Sequence, residues 1–262
     1  MNYLASIIER KRKETASRSR FVSMYLKHNA FVGGDTKQLA EHLRRSSSEW
    51  PNVIAEIKFC SPSAGPIRKR APGKLIEIAQ SYERGGASAI SVLCDRAGFC
   101  GSPLDLRRVR SVTRTPLLFK EFVLDEVQLH LARAMGASYV LLLVCVLDQV
   151  ELVRLIVKTR ELGMEAVVEC ASAEELSRVL DTSATIVGIN SRDLRSFSVD
   201  SQRAKELVQI IPDTKIAVYM SGIKSKEEFQ AMRDSRVDAV LMGESLMRQN
   251  EPDRFLSTLF DR

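Results

Sequence analysis

From Pro51 onward the chain alternates eight short apolar runs with segments of helical pattern, and this rhythm limits its fold more than any other feature. The runs are VIAEIK from Val53, AISVLC from Ala89, LLFKEF from Leu117, YVLLLV from Tyr139, EAVVEC from Glu165, TIVGIN from Thr185, IAVYMS from Ile216 and AVLMGE from Ala239. Nearly all are apolar on both faces, as a strand is when helices cover one side and a filled interior lies on the other. Between them, segments such as 125–135 and 148–162 place apolar residues at helical spacing. Four of these helices end on Gly85-Gly86, Gly136, Gly163 and, in the same role, Ser235. Strand and helix repeated eight times give a parallel sheet, and eight is the number at which such a sheet closes. The expected fold is therefore α/β, a (β/α)8 TIM barrel. An open doubly wound sheet would carry G-x-G-x-x-G after its first strand, and this chain has none there. The first fifty residues stand outside the alternation. They read as a basic amphipathic helix over 3–15, a linker, and a second helix over 35–45 ended by Ser46-Ser47-Ser48. A helical extension (1–50) thus precedes a barrel (51–262), either capping its bottom or leaning over its mouth.

The polar residues at the strand ends carry the chemistry. Glu56 and Lys58 lie one pleat period apart, on one face of the first strand, and the turn-rich stretch Ser61-Pro62-Ser63 follows. Lys120 lies near the end of the third run and Glu169 near the end of the fifth, while Asn190 ends the sixth, with Arg192 just beyond. Each charge interrupts a run that would be better packed without it. Buried charge is costly unless paired, so these groups must converge on each other or on a ligand. In a closed barrel the C-terminal strand ends meet at one mouth. Two lysines and two glutamates there can supply a proton donor and a proton acceptor at neutral pH. The last two strand ends differ in kind: Ser221-Gly222 and Gly243-Glu244-Ser245 are small-residue turns leading into helices. Turns at this place present backbone N–H groups to a phosphate.

Composition excludes several alternatives. The net charge of +6, from 39 Lys+Arg against 33 Asp+Glu, is spread along the chain without an interleaved aromatic stripe, so no nucleic-acid partner is expected. The dense run Arg68-Lys69-Arg70 reads as solvated surface before it reads as an anion site. Five cysteines without a C-x-x-C pair argue for a reducing, cytoplasmic setting and against a disulfide framework or zinc site. His28, His42 and His130 all fall in helix-like segments, which disfavours a histidine metal centre or a Ser-His-Asp triad. The N-terminus lacks a signal-peptide core, and no stretch has the length of a membrane span.

Beyond these local readings, the chain closely resembles the indole-3-glycerol phosphate synthase family over essentially its whole length. The most specific segments are AEIKFCSPSAGPI, LLFKEFVLDEVQLHLARAMGASYVLLLV, GINSRDLRSFSVD and SGIKSKEEFQAMRDSRVDAVLMGESLMR. The resemblance implies closure of the indole ring of 1-(2-carboxyphenylamino)-1-deoxy-D-ribulose 5-phosphate, with loss of CO2 and water and without cofactor or metal. It implies that Lys120 is the general acid at the ribulose carbonyl, and that Glu169 and Glu56 move protons and stabilise the cationic intermediate. Lys58 would hold the anthranilate carboxylate or assist loss of water, and Asn190 would orient a glutamate. Ser61, Arg192, Ser221, Gly222, Gly243, Glu244 and Ser245 would contact the substrate and its phosphate, with Phe122 and Leu194 against its aromatic ring. The only partner implied is this phosphorylated small molecule, taken up by a monomer or weak homodimer.

The departures from the family pattern are specific. Met220 replaces the glutamate usual in S-E-S-G-I, Phe59-Cys60 replaces a basic and a small residue, Ser191 replaces Asn, and Glu121 replaces Asp. Loss of a carboxylate at Met220 is expected to change the field on Lys120. It leaves as alternatives a diverged relative acting on a related aminosugar phosphate, or a non-catalytic barrel.

Overall fold

The computed structural model describes residues 3–26, 35–46, 50–193 and 198–260. Its eight parallel strands are β1 (Asn52–Ile57), β2 (Ala89–Leu93), β3 (Leu117–Lys120), β4 (Tyr139–Leu143), β5 (Glu165–Cys170), β6 (Ile186–Asn190), β7 (Ile216–Met220) and β8 (Ala239–Met242). They close in sequence order, β8 pairing with β1 through Asn52↔Ala239 and β1 with β2 through Glu56↔Ser91. Every expected strand is present, and the barrel is the expected fold.

Side-chain parity explains the double-sided apolar runs. Ile54, Leu118, Val167, Ile186, Val218, Met220 and Leu241 fill the barrel interior. Their chain neighbours Val53, Phe119, Val168, Val187, Tyr219 and Val240 belong to the separate layer between strands and helices. Glu56, Lys120 and Glu169 sit two residues beyond interior positions and Asn190 four beyond Ile186, so the pleat turns each of them inward at the top of the barrel.

The helices in chain order are α1 (Tyr3–Leu26), α2 (Thr36–His42), α3 (Lys74–Arg84), α4 (Arg96–Phe99), α5 (Pro103–Arg110), α6 (Glu126–Ala134), α7 (Gln149–Glu161), α8 (Ala173–Leu180), α9 (Ser201–Gln209), α10 (Lys226–Gln230), α11 (Glu244–Met247) and α12 (Pro252–Leu259). Gly86, Gly136 and Gly163 take left-handed φ values of 84°, 93° and 70° at helix ends, as expected. Gly85 is needed for space instead: a Cβ there would lie 2.8 Å from Leu256 Cβ, where α12 crosses the end of α3. Ser235 does not repeat the glycine role. It is absent from the left-handed residues and closes its turn by donating its hydroxyl to the Met232 carbonyl at 2.6 Å.

The extension divides its work between both ends of the barrel. Helix α2 lies at the bottom, where the hydroxyl of Tyr139 donates to the Leu39 carbonyl at 2.7 Å and Asn52 Nδ2 donates to Leu43 O at 3.2 Å. Helix α1 reaches the mouth, with Arg10 and Lys11 bound to Asp95, just past β2. It continues to Leu26, eleven residues beyond its expected end, because no Gly or Pro interrupts the sequence there. Helix α2 is shorter than expected, with Asp35 as N-cap accepting from the N–H groups of Lys37 and Gln38 and Leu43 as C-cap. His42 and His130 lie on α2 and α6, whereas His28, Ser47 and Ser48 fall outside the described residues.

The expectation of five reduced cysteines is overturned. Cys60 and Cys100 form a disulfide across 40 residues of sequence, and Cys94, Cys145 and Cys170 stay outside any disulfide. Cys60 follows β1 and Cys100 follows α4 after β2, so the pairing of β1 with β2 brings the two loops together. Cys145 sits in a 3₁₀ turn past β4. The basic run beside this loop is also more than a solvated face. Arg70 donates to the Cys100 carbonyl at 2.7 Å and lies over the Phe59 ring at 5.1 Å.

Candidate active site

A cavity of about 590 Å³ opens at the C-terminal ends of the strands. Glu56, Lys58, Lys120, Glu169 and Asn190 all line it, so the five expected catalytic residues meet in one place. Two ion pairs form its floor: Lys120 Nζ lies 3.0 Å from Glu169 Oε2, and Lys58 Nζ lies 2.8 Å from Glu56 Oε1. Both glutamates are buried and both lysines partly open to the cavity, with side-chain exposures of 4% against 16% and 19%. This places anions at the back and N–H donors toward a ligand.

Asn190 locks one of these pairs. Its Nδ2 donates to Glu169 Oε1 at 2.7 Å, and its Oδ1 accepts from the backbone N–H of Arg192 at 2.9 Å. Glu169 therefore has each carboxylate oxygen engaged by a different donor. Glu56 has Lys58 on one oxygen and the Ser91 hydroxyl 3.4 Å from the other. Burial alone would push the Glu56 carboxyl up, but the ammonium groups of Lys58 and Lys120 hold it below its ordinary value. The two pairs are thus electrostatically coupled across the cavity.

The glycines expected to serve a phosphate have an additional cause. A Cβ on Gly243 would lie 2.7 Å from Glu56 Oε1 and 3.2 Å from Lys58 Nζ, so this glycine leaves room for an ion pair. Gly222 has φ +87°, and its would-be Cβ would lie 2.9 Å from Ser191 Oγ, a buried hydroxyl without a partner among the described residues. Ser221 before it holds φ +69°, a costly conformation for a residue with a side chain and one that concentrates at functional sites. The Ser245 hydroxyl donates to the Ile223 carbonyl at 3.1 Å, joining the two turns, while Glu244 is held by Arg248 at 2.8 Å. Ser221, Gly222, Gly243, Glu244 and Ser245 all line the cavity.

The remaining expected contacts are partly placed. Ser61 lines the cavity, and its hydroxyl accepts from the Ala64 N–H at 3.1 Å, holding the β1 loop. Arg192 and Phe122 line the cavity, whereas Leu194 lies outside the described residues. Met220 is absent from the lining. It is 1% exposed and fills the barrel interior beneath the cavity, where its Sδ would lie 2.5 Å from a Cβ on Gly188. The loss of a carboxylate there is matched by an apolar slot cleared by glycine.

Some wall residues were not assigned to the site from sequence. Asp95, Phe99 and Glu121 line the cavity, and Lys11 on α1 contacts two of them. Asp95 directly follows the run AISVLC and Glu121 interrupts LLFKEF beside Lys120, signals of the kind that marked Lys120, but Lys11 looks like any other charge on a basic helix.

Known proteins resemble this chain in the same terms. The family model described as indole-3-glycerol phosphate synthase matches residues 4–259. A protein of that name from Kineococcus radiotolerans is 39% identical over 99% of this chain and 95% of its own length. One of the same name from Aquifex aeolicus is 41% identical over 86% and 87%. Among solved structures, KGPDC from Streptococcus mutans superposes with a TM-score of 0.60 at 13% identity, over 81% of this chain and 97% of that one. The tryptophan synthase alpha subunit from Legionella pneumophila gives 0.56 at 14%, over 80% and 92%. At such identities the structural likeness speaks for the barrel alone.

Proposed function

The chain belongs to the indole-3-glycerol phosphate synthase family, and from that premise we propose that it converts 1-(2-carboxyphenylamino)-1-deoxy-D-ribulose 5-phosphate to indole-3-glycerol phosphate, CO2 and water. The observation that carries this reading is the coupling of two Lys–Glu pairs at one barrel mouth beside a pair of phosphate-suited turns. In the ring-closing step the aromatic carbon bearing the carboxylate bonds to the ribulose carbonyl carbon. The carbonyl π electrons move to oxygen, which takes a proton from the Lys120 ammonium. Loss of CO2 returns the electrons of its bond to the ring, and loss of the new hydroxyl as water, with a proton passed to a carboxylate, completes the indole.

Each partner has a place in this sequence. Glu169 orients the Lys120 ammonium, and Asn190 orients Glu169. Glu56, ionised against burial, balances positive charge on the ring and receives protons. Lys58 faces the cavity beside Glu56, where it can meet the leaving carboxylate or the departing hydroxyl. Met220 sits below the lining, so its departure from the family pattern does not reshape the substrate's surroundings. Among the described residues no helix is long and apolar enough to cross a membrane. The reading places the reaction in the cytoplasm, on a freely diffusing substrate, in a monomer or weak homodimer.

The test is incubation of the purified protein with this substrate while following indole fluorescence, with Lys120→Met alongside. Native protein should form product, and Lys120→Met should be slower by ~10²–10⁴-fold, the usual contribution of a positioned acid. No product from native protein, or a Lys120→Met rate above about half of native, would overturn the proposal.

A further inference from the structure

Lys11 is an unusual residue for a solvent-facing helix. Two positions on, Lys13 is 76% exposed and pairs with Glu9 at the surface. The Lys11 side chain is only 4% exposed, and its Nζ lies 2.8 Å from Asp95 Oδ1 and 2.9 Å from Glu121 Oε2, with Glu14 at 3.0 Å. A buried ammonium needs such partners to offset lost hydration. The two carboxylates it joins come from different loops of the mouth and both line the cavity.

Each of those carboxylates holds an aromatic residue. Asp95 is the N-cap of α4, accepting from Gly98 N–H at 2.7 Å, and α4 carries Phe99. Glu121 uses its other oxygen to accept from the Phe122 N–H at 2.9 Å. Phe99 and Phe122 then pack on one another with ring centroids 6.4 Å apart, and both face the cavity. Lys11 is therefore the tie between two loops whose spacing sets an aromatic wall. Burial alone would release its proton, but Glu121 and Asp95 reverse this and hold it charged.

We propose that Lys11 is a positioning residue that fixes the separation of Phe99 and Phe122, and through them the slot for the aromatic ring of the substrate. This rests on the function proposed above. A wall that touches the ring in ground state and transition state alike governs binding more than chemistry. The N-terminal helix thereby acts in substrate recognition as well as in covering the barrel.

The decisive variant is Lys11→Met, which keeps the apolar stem and removes the charge. With folding checked by thermal melting, KM should rise about tenfold, the scale of one lost aromatic contact, with kcat within about twofold of native. Adding Glu121→Gln, whose amide oxygen can still accept from Phe122 N–H, removes the stranded charge and should bring KM back to within about threefold of native. Unchanged KM, a fall in kcat at native KM, or a double variant no better than the single would each overturn the proposal. If Lys11→Met fails to fold, Phe99→Leu serves in its place, with the same rise in KM expected and an unchanged KM contradicting. A crystal structure of Lys11→Met makes the test independent of turnover: the ring centroids should move by about 1 Å or more from 6.4 Å. Rings that stay in place would overturn the Lys11 role even if the native protein proved inactive on this substrate, whereas an inactive native protein with displaced rings would overturn only the assigned reaction.

Discussion

Replacing Gly243 with alanine should slow the chemical step while leaving the fold near native. The new Cβ would lie 2.7 Å from Glu56 Oε1, 3.2 Å from Lys58 Nζ and 3.3 Å from Glu56 Cβ, against ordinary contacts that begin at 3.4 Å. The carboxylate must therefore retreat by roughly 0.7 Å. It has little room to do so, being 3% exposed with Ser91 3.4 Å from its other oxygen. A displacement near 1 Å can cost ~10²-fold in rate, so a fall in kcat of about 10–100-fold is expected, or about 1.4–2.8 kcal/mol of barrier. The backbone at Gly243 has φ −123°, outside the left-handed range that only glycine adopts freely, so the fold should survive the substitution. The assay is kcat and KM from indole fluorescence, with a thermal melt for each protein. A kcat within about twofold of native would refute the reasoning, whatever the change in KM, since it would mean that the Glu56 carboxylate is not displaced from its working position.

Three further outcomes follow from the same contacts. The Glu56 carboxyl sits below its ordinary value of 4.5 in the folded protein, so its contribution to stability is complete above that pH and is lost as pH falls through the lowered value. The melting-temperature gap between native protein and Glu56→Gln should therefore shrink as pH is lowered below 4.5, and a gap that widens on acidification would contradict this. Met220→Glu should lose ~3–5 kcal/mol of stability, because it buries a carboxylate among Leu118, Val167 and Leu241; native stability with an altered kcat/KM–pH profile would show instead that the new carboxylate reaches Lys120. Thiol titration of unfolded, unreduced protein should find three reactive cysteines, rising to five after reduction, and five before reduction would exclude the Cys60–Cys100 bond.

What could be read from sequence was whatever the pleat and the strand–helix alternation determine. Glu56 and Lys58 were placeable on one face because parity is local, and Lys120, Glu169 and Asn190 could be gathered because closure of the barrel brings the strand ends together. Interactions set by packing were hidden. Lys11 and Lys13 are indistinguishable in a helical pattern, yet one is buried against two loops and the other is solvated. The Cys60–Cys100 bond depends on two loops meeting beyond adjacent strands, information absent from cysteine spacing. Gly243 looked like a turn glycine, and only the position of Glu56 across the β8–β1 seam reveals the side-chain space it protects. Met220 looked like a lost charge, and only its position over Gly188 shows the apolar slot that holds it.

The central claim is that one cavity holds the whole substrate, with acid, base, aromatic wall and phosphate turns each at a separate part of it. A crystal structure of Lys120→Met with 1-(2-carboxyphenylamino)-1-deoxy-D-ribulose 5-phosphate bound tests this most directly. The account predicts the phosphate at the turns through Ser221-Gly222 and Gly243-Ser245, the ring against Phe122, and the ribulose carbonyl facing position 120. A phosphate bound away from both turns, or a ring lying remote from Phe122, would contradict it.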